Sequence, residues 1–141
     1  MVEYGKLQPQ IKSHLMLRIT LLLLLLSGTM AVYGDIDRGQ SVYEQNCLAC
    51  HMYDRRGVPG MAPSLVRSPW VIGSDEVLVA YLLTGGFGPD VLMARFDYLR
   101  NQELIDLTDY LRSLESLPMT TLDEASIEEI RIRMSQEGFY D

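Results

Sequence analysis

The sequence predicts an all-α protein: several short helices packed round one bound group. Three observations carry that prediction. Apolar residues recur at helical rather than alternating spacing. Each such run is bounded by capping residues or by Gly and Pro. A Cys-x-x-Cys-His sequence closes the first run. No segment reads as a sheet, and there are no internal repeats or low-complexity tracts.

The first 34 residues stand apart. Lys6, Lys12 and Arg18 precede an apolar run from Ile19 to Leu26, followed by Ser27, Gly28, Thr29, Ala31 and Gly34. A basic stretch, a short apolar core and small residues describe a secretory signal. A bilayer span needs about 20 apolar residues, and the stretch from Ile19 to Tyr33 is shorter and diluted by polar positions. The expectation for 1–34 is therefore a signal cleaved after Ala31 or Gly34, with a retained N-terminal anchor as the alternative. The only two cysteines lie further on, so no lipid-bearing cysteine follows the apolar run.

After the leader, Asp37 to Cys47 reads as a helix. Asp37 and Gln40 form a capping-box variant, and Val42, Tyr43, Asn46 and Cys47 share a face. Met52 to Val66 is a loop with Gly57, Pro59, Gly60 and Pro63. Ser74 is an N-cap, with Asp75 and Glu76 where the helix dipole favours acids. The helix it opens is almost wholly apolar from Val77 to Leu83, and Gly85 and Gly86 stop it. Phe87 to Leu99 is a second loop. Asn101 opens a helix with Leu104, Leu107, Thr108, Leu111 and Leu114 on one face, and Pro118 follows it. Thr121 and Glu124 make a capping box before Ile127, Ile130 and Met134, and Gly138 ends that helix.

Cys47-Leu48-Ala49-Cys50-His51 is the attachment pattern for c-type haem. Two thiols one helical turn apart can each add to a haem vinyl group, and the adjacent histidine then lies under the iron. A disulfide across the short loop and a thioredoxin-type redox pair are the rival readings, though no βαβ pattern surrounds the pair. A structural zinc site needs four nitrogen or sulfur ligands, and residues 35–141 offer two cysteines and one histidine. On the haem reading the chain divides into 1–34, a leader; 35–118, the haem-binding domain; and 119–141, an amphipathic helix and tail, acidic at its start.

These residues, in this order, resemble the class I cytochrome c family from about Asp37 to Leu114. The resemblance implies the cytochrome c fold with one covalent haem c. Gly39 would let the first helix approach the last closely, and Tyr110 would be the aromatic counterpart on that last helix. Pro63-Ser64-Leu65 is similar to the family's Pro-x-Leu loop, where the proline carbonyl accepts the proximal histidine's Nδ1 proton. Met93-Ala94-Arg95-Phe96 is similar to the distal-ligand loop, which usually reads Met-Pro-x-Phe; Ala94 departs from it. The stretch from Arg56 to Leu65, with Ser68-Pro69-Trp70-Val71, also looks like cytochrome modules that serve periplasmic quinoprotein dehydrogenases. In those, a longer insert often precedes the distal methionine; here the connection from Gly86 to Met93 is short.

The resemblance then implies His51 as the proximal ligand, and the iron needs a second ligand or an open site, for which methionine is the expected candidate. No second histidine and no lysine lie beyond residue 34. Met52 adjoins His51, and Met119 and Met134 lie beyond the last core helix. Met93 is the expected ligand, and Met61, in the loop that must stay near His51, is the alternative. Tyr43, Leu65, Phe87 and Phe96 are expected to line the haem crevice. Trp70, Arg67 and Arg95 are candidate partners of the haem propionates.

The formal net charge is −7, and the leader contributes a net +2, so residues 35–141 carry −9. Such a balance excludes a nucleic-acid surface and favours redox partners with basic docking patches. The expected function is single-electron transfer in the periplasm, not catalysis. A dehydrogenase would be the donor, and an oxidase or another cytochrome the acceptor. Membrane contact is expected only if the N-terminal segment is retained. Two alternatives stand beside this: an electron-accepting subunit of a dehydrogenase complex, and a haem enzyme or gas sensor with a labile distal ligand.

Overall fold

The first helix after residue 34 begins at a cap chosen by a distant residue. Asp35 accepts from the backbone N–H groups of Asp37 and Arg38, and its own N–H donates to Asp106 Oδ1 at 2.8 Å. Helix α1, Ile36–Asn46, therefore starts from Asp35; the Asp37 cap expected from the sequence is displaced by this long-range bond. The computed structural model describes residues 35–86 and 93–138, together with Met16 and Arg18. The chain divides into two compact units, Met1–Val32 and Tyr33–Asp141. Of the first, only the helical Met16 and Arg18 are described, so the leader expected over 1–34 lies almost wholly outside the described residues. Among the described residues, no helix is long and apolar enough to cross a membrane.

The second unit is all-α. Helix α2, Leu48–His51, follows α1 with Cys47 between them. A loop leads to α3, Pro69–Ile72, which opens on Ser68 with proline at its first position. Helix α4, Asp75–Thr84, buries Leu78, Val79, Ala80, Leu82 and Leu83 and ends at Gly85 in the left-handed conformation. Helix α5, Asn101–Ser113, buries the face predicted for it as far as Leu111, while Leu114 is exposed beyond its end. Helix α6, Glu124–Gln136, starts from Asp123 rather than Thr121, because the Asp123 carboxylate takes the Ser126 N–H. Neither four-residue helix, α2 nor α3, was expected; both are too short to show a period.

The core forms where these helices meet. Helix α1 packs most extensively on α5, and α6 packs on α4 and α5. Gly39 makes the first crossing possible. A Cβ there would lie 2.0 Å from the Asp106 carbonyl oxygen and 2.7 Å from Tyr110 Cβ. One turn on, the Tyr43 and Tyr110 rings stack obliquely with centroids 5.5 Å apart. Ile127, Ile130 and Met134 of α6 join the same buried cluster as Leu83, Phe96, Leu104 and Leu107.

Candidate haem-binding site

Cys47 caps the C-terminus of α1, and its carbonyl accepts from the N–H groups of Cys50 and His51. This turn puts Cys47 in the core and Cys50 at the surface, both as free thiols. Burial, with the nearby Cys50 sulfur adding to it, pushes the Cys47 thiol up to about 12. His51 is buried. Its Nδ1 lies 3.0 Å from the Pro63 carbonyl oxygen. Burial lowers the imidazole's affinity for a proton, and the bond to Pro63 partly opposes that.

The loop between His51 and Ser68 is wound tightly to bring Pro63 there. Met52, Arg55 and Arg67 hold positive φ, a conformation that costs a side-chain-bearing residue energy and persists only when its surroundings enforce it. The enforcement is visible. Tyr43 donates its hydroxyl to the Met52 carbonyl at 2.7 Å. Arg55 forms a largely buried ion pair with Glu115 at 2.5 Å, and its carbonyl accepts from the Leu65 N–H. Gly57 donates to the His51 carbonyl.

Met93 is half-buried against the core cluster, whereas Met61 is 60 % exposed. The end of α4 receives the Met93 segment. A Cβ on Gly85 would lie 2.7 Å from the Met93 carbonyl oxygen, and Phe96 donates its N–H to the Leu82 carbonyl. Phe96 is buried and Leu65 half-buried, both against the core; Phe87 lies outside the described residues. Trp70 is partly exposed and stacks on Tyr81 with centroids 4.4 Å apart. Arg95 has a nitrogen 3.5 Å from an Asp97 oxygen, and Arg67 lies exposed in its loop.

The family described as cytochrome c oxidase, cbb3-type, subunit III matches residues 34–111, which include Cys47, Cys50, His51, Pro63 and Met93. The chain belongs to the class I c-type cytochromes. A cytochrome c-553-like protein of Synechocystis is 32 % identical to it over 62 % of the chain and 77 % of the relative. The cytochrome c subunit of a quinone alcohol dehydrogenase from Gluconobacter oxydans is 35 % identical over 56 % of the chain. A cbb3-type cytochrome c oxidase subunit CcoP of Azospirillum is 33 % identical over 49 %. The matches span only 18 % and 25 % of these last two relatives.

The cytochrome carries a covalent haem c, as its family does. Its residues fit that group. Its only cysteines are the two free thiols one turn apart, and the Pro63 carbonyl occupies His51 Nδ1, which leaves Nε2 as the nitrogen available to a metal. Sequence reasoning passed over Gly57, Gly85, the Arg55–Glu115 pair and Arg131 as parts of this region. The two glycines carry a turn signal in sequence but none for what each packs against. The two arginines carry no local signal at all, since Arg55 pairs with an acid 60 residues away and Arg131 donates to neutral acceptors about 30 residues away.

Proposed function

We propose that the cytochrome is a periplasmic carrier of single electrons, its haem attached through Cys47 and Cys50 and its iron held between His51 and Met93. The observation that carries this reading is the donor set: paired free thiols, a buried imidazole bonded to Pro63 through Nδ1, and one half-buried, loop-borne methionine. A haem held by His51 and Met93 would supply one-electron redox chemistry with little structural change. The chain does the rest. Cys47 and Cys50 tether the group beside His51. Pro63 holds the imidazole's Nδ1 proton, which fixes the tautomer and makes Nε2 a better donor. Tyr43, Leu65 and Phe96 provide apolar surroundings that limit the access of water. The only histidine after residue 34 is committed to this site, so no Ser/His/Asp or Cys/His set is left for catalysis.

A second reading makes the protein the electron-accepting subunit of a dehydrogenase or oxidase complex. The likeness to subunits of both kinds favours it.

The test is a pair of substitutions in protein matured with its haem. Met93→Ala removes the methionine–ferric-iron charge-transfer band, lowers the reduction potential and opens the iron to cyanide and carbon monoxide. Met61→Ala leaves the band in place. Loss of the band in Met61→Ala alone would move the ligand to the loop before Pro63. Ready uptake of carbon monoxide by the wild type would favour the enzyme or sensor reading instead.

A further inference from the structure

We propose that the C-terminal helix α6 is part of the ligand-holding machinery, with Arg131 acting as a clamp that keeps the Met93 segment closed on the haem. The inference rests on the reading of Met93 as the distal ligand.

Residues 93–100 run without helix to the start of α5. Besides the Tyr98 hydroxyl, which donates to Asn46 Oδ1 of α1 at 2.7 Å, the chain fastens this segment at two points among the described residues. The first is at α4, where Gly85 abuts Met93 and Ala94, and Leu82 accepts the Phe96 N–H. The second is Arg131. Its Nη1 donates to the Asp97 carbonyl at 2.7 Å, its Nη2 to the Leu99 carbonyl, and its Nε to Asn101 Oδ1 at 2.8 Å. One planar guanidinium thus holds three acceptors spread over five consecutive residues, the nearest only four residues after Met93. Asn101 in turn donates to the Glu124 carbonyl and the Glu128 carboxylate, so the start of α5 is bonded to α6 in both directions. Beneath the clamp, Phe96 and Leu99 share the buried cluster with Ile127, Ile130 and Met134.

The chemistry calls for such a clamp. A thioether binds iron more weakly than an imidazole, so its hold depends on how often the protein lets it swing away. Ala94, directly after Met93, places no restriction of its own on the backbone. The carbonyls of Asp97 and Leu99 belong to a tight turn with no helical partners, and a charged, half-buried donor holds them more firmly than water would. Arginine suits this role because its fork serves several acceptors at once; lysine would serve them from a single point. Among the described residues, Arg133, two residues on, reaches only the exposed Glu76 at 3.8 Å.

The experiment uses the full-length, haem-loaded protein at a temperature well below its melting point, with four variants: Arg131→Ala, Arg131→Lys, Arg133→Ala and Met93→Ala. Two quantities are read: the rate at which ferric protein takes up cyanide, and the hydrogen exchange of backbone amides in 93–101. Arg131→Ala is expected to speed cyanide uptake by at least about tenfold, as loss of charge-assisted bonds raises the open population, and to speed exchange in 93–101 while α1 keeps its protection. Arg131→Lys falls between it and wild type, and serves alone if the alanine variant does not fold. Arg133→Ala behaves as wild type. If uptake stays at the wild-type rate in both Arg131 variants while Met93→Ala responds, the clamp is refuted and the ligand assignment stands. If Met93→Ala itself binds cyanide no faster than wild type, the ligand assignment fails and the clamp falls with it.

Discussion

Gly57 adopts φ +72°, and a Cβ added there would lie 2.2 Å from the Ala62 carbonyl oxygen and 2.6 Å from that of Pro63. The second of those oxygens is the one that accepts from His51. Gly60, three residues later, has φ +78° but open space around it. The two positions separate backbone strain from an effect on the histidine. Gly57→Ala and Gly60→Ala each incur the left-handed penalty, roughly 1–2 kcal/mol, and both should melt at lower temperature. Only Gly57→Ala pushes the Pro63 carbonyl, weakening its bond to Nδ1 and making His51 a poorer electron donor. Its reduction potential should therefore rise, while that of Gly60→Ala stays at the wild-type value. Voltammetry beside thermal melts would show this; equal potentials in the two variants would mean that the Pro63 contact does not tune the histidine. The Cys-x-x-Cys-His motif was legible because its chemistry is local. Gly57 looked like one loop glycine among several, because what it touches is decided by how the loop folds back.

Asp106 shows why helices were easier to read than their ends. The face of α5 was plain from its leucines, yet Asp106 within that helix is buried at 1 % exposure, where an acid is not expected. It accepts from Arg38, from the Asp35 N–H and from Gln102. Burial raises its pKa, but these donors outweigh burial and leave the carboxyl below its ordinary value. The same bonds select Asp35 as the cap of α1, a choice that sequence reasoning gave to Asp37 because both acids stand at the right place. The sign of the linkage follows. A carboxyl with a depressed folded-state pKa contributes stability that is present above its unfolded value, about 3.9, and is lost as pH falls through the lower folded value. Asp106→Asn should lower the melting temperature at pH 7, and the gap to wild type should narrow as pH falls below about 4. Arg38 and, more weakly, Arg100 are the cations that face the carboxylate; both stay charged throughout. A gap that is constant with pH would mean that the loss comes from altered packing at the α1–α5 crossing and not from the charge.

At the scale of the molecule, two kinds of electrostatics coexist. All cations after residue 34 are arginines, and besides Arg38, which binds Asp106, three of them tie distant segments together. Arg55 joins the loop before Pro63 to Glu115, and Arg112 joins α5 to Asp75 of α4 and to the Gly73 and Pro118 carbonyls. Arg131 joins α6 to the Met93 segment. The side chains of the Arg55–Glu115 and Arg112–Asp75 pairs are all less than one-fifth exposed, so salt screens them weakly. The excess negative charge, −9 over residues 35–141, belongs instead to exposed acids whose field reaches a partner through solvent. At physiological ionic strength that field is screened beyond about 8 Å. Raising the salt should therefore divide the two. The association rate with a basic redox partner, followed by stopped-flow electron transfer, should fall steeply between low and physiological ionic strength, because steering acts on the encounter. The melting temperature should change little over the same range, because the pairs within the fold are sheltered. An association rate that ignores salt would mean that the acidic surface does not guide docking, and would leave the contact to apolar groups. A melting temperature that falls in parallel would mean that the arginine ties are as exposed to the solvent as the steering charges are.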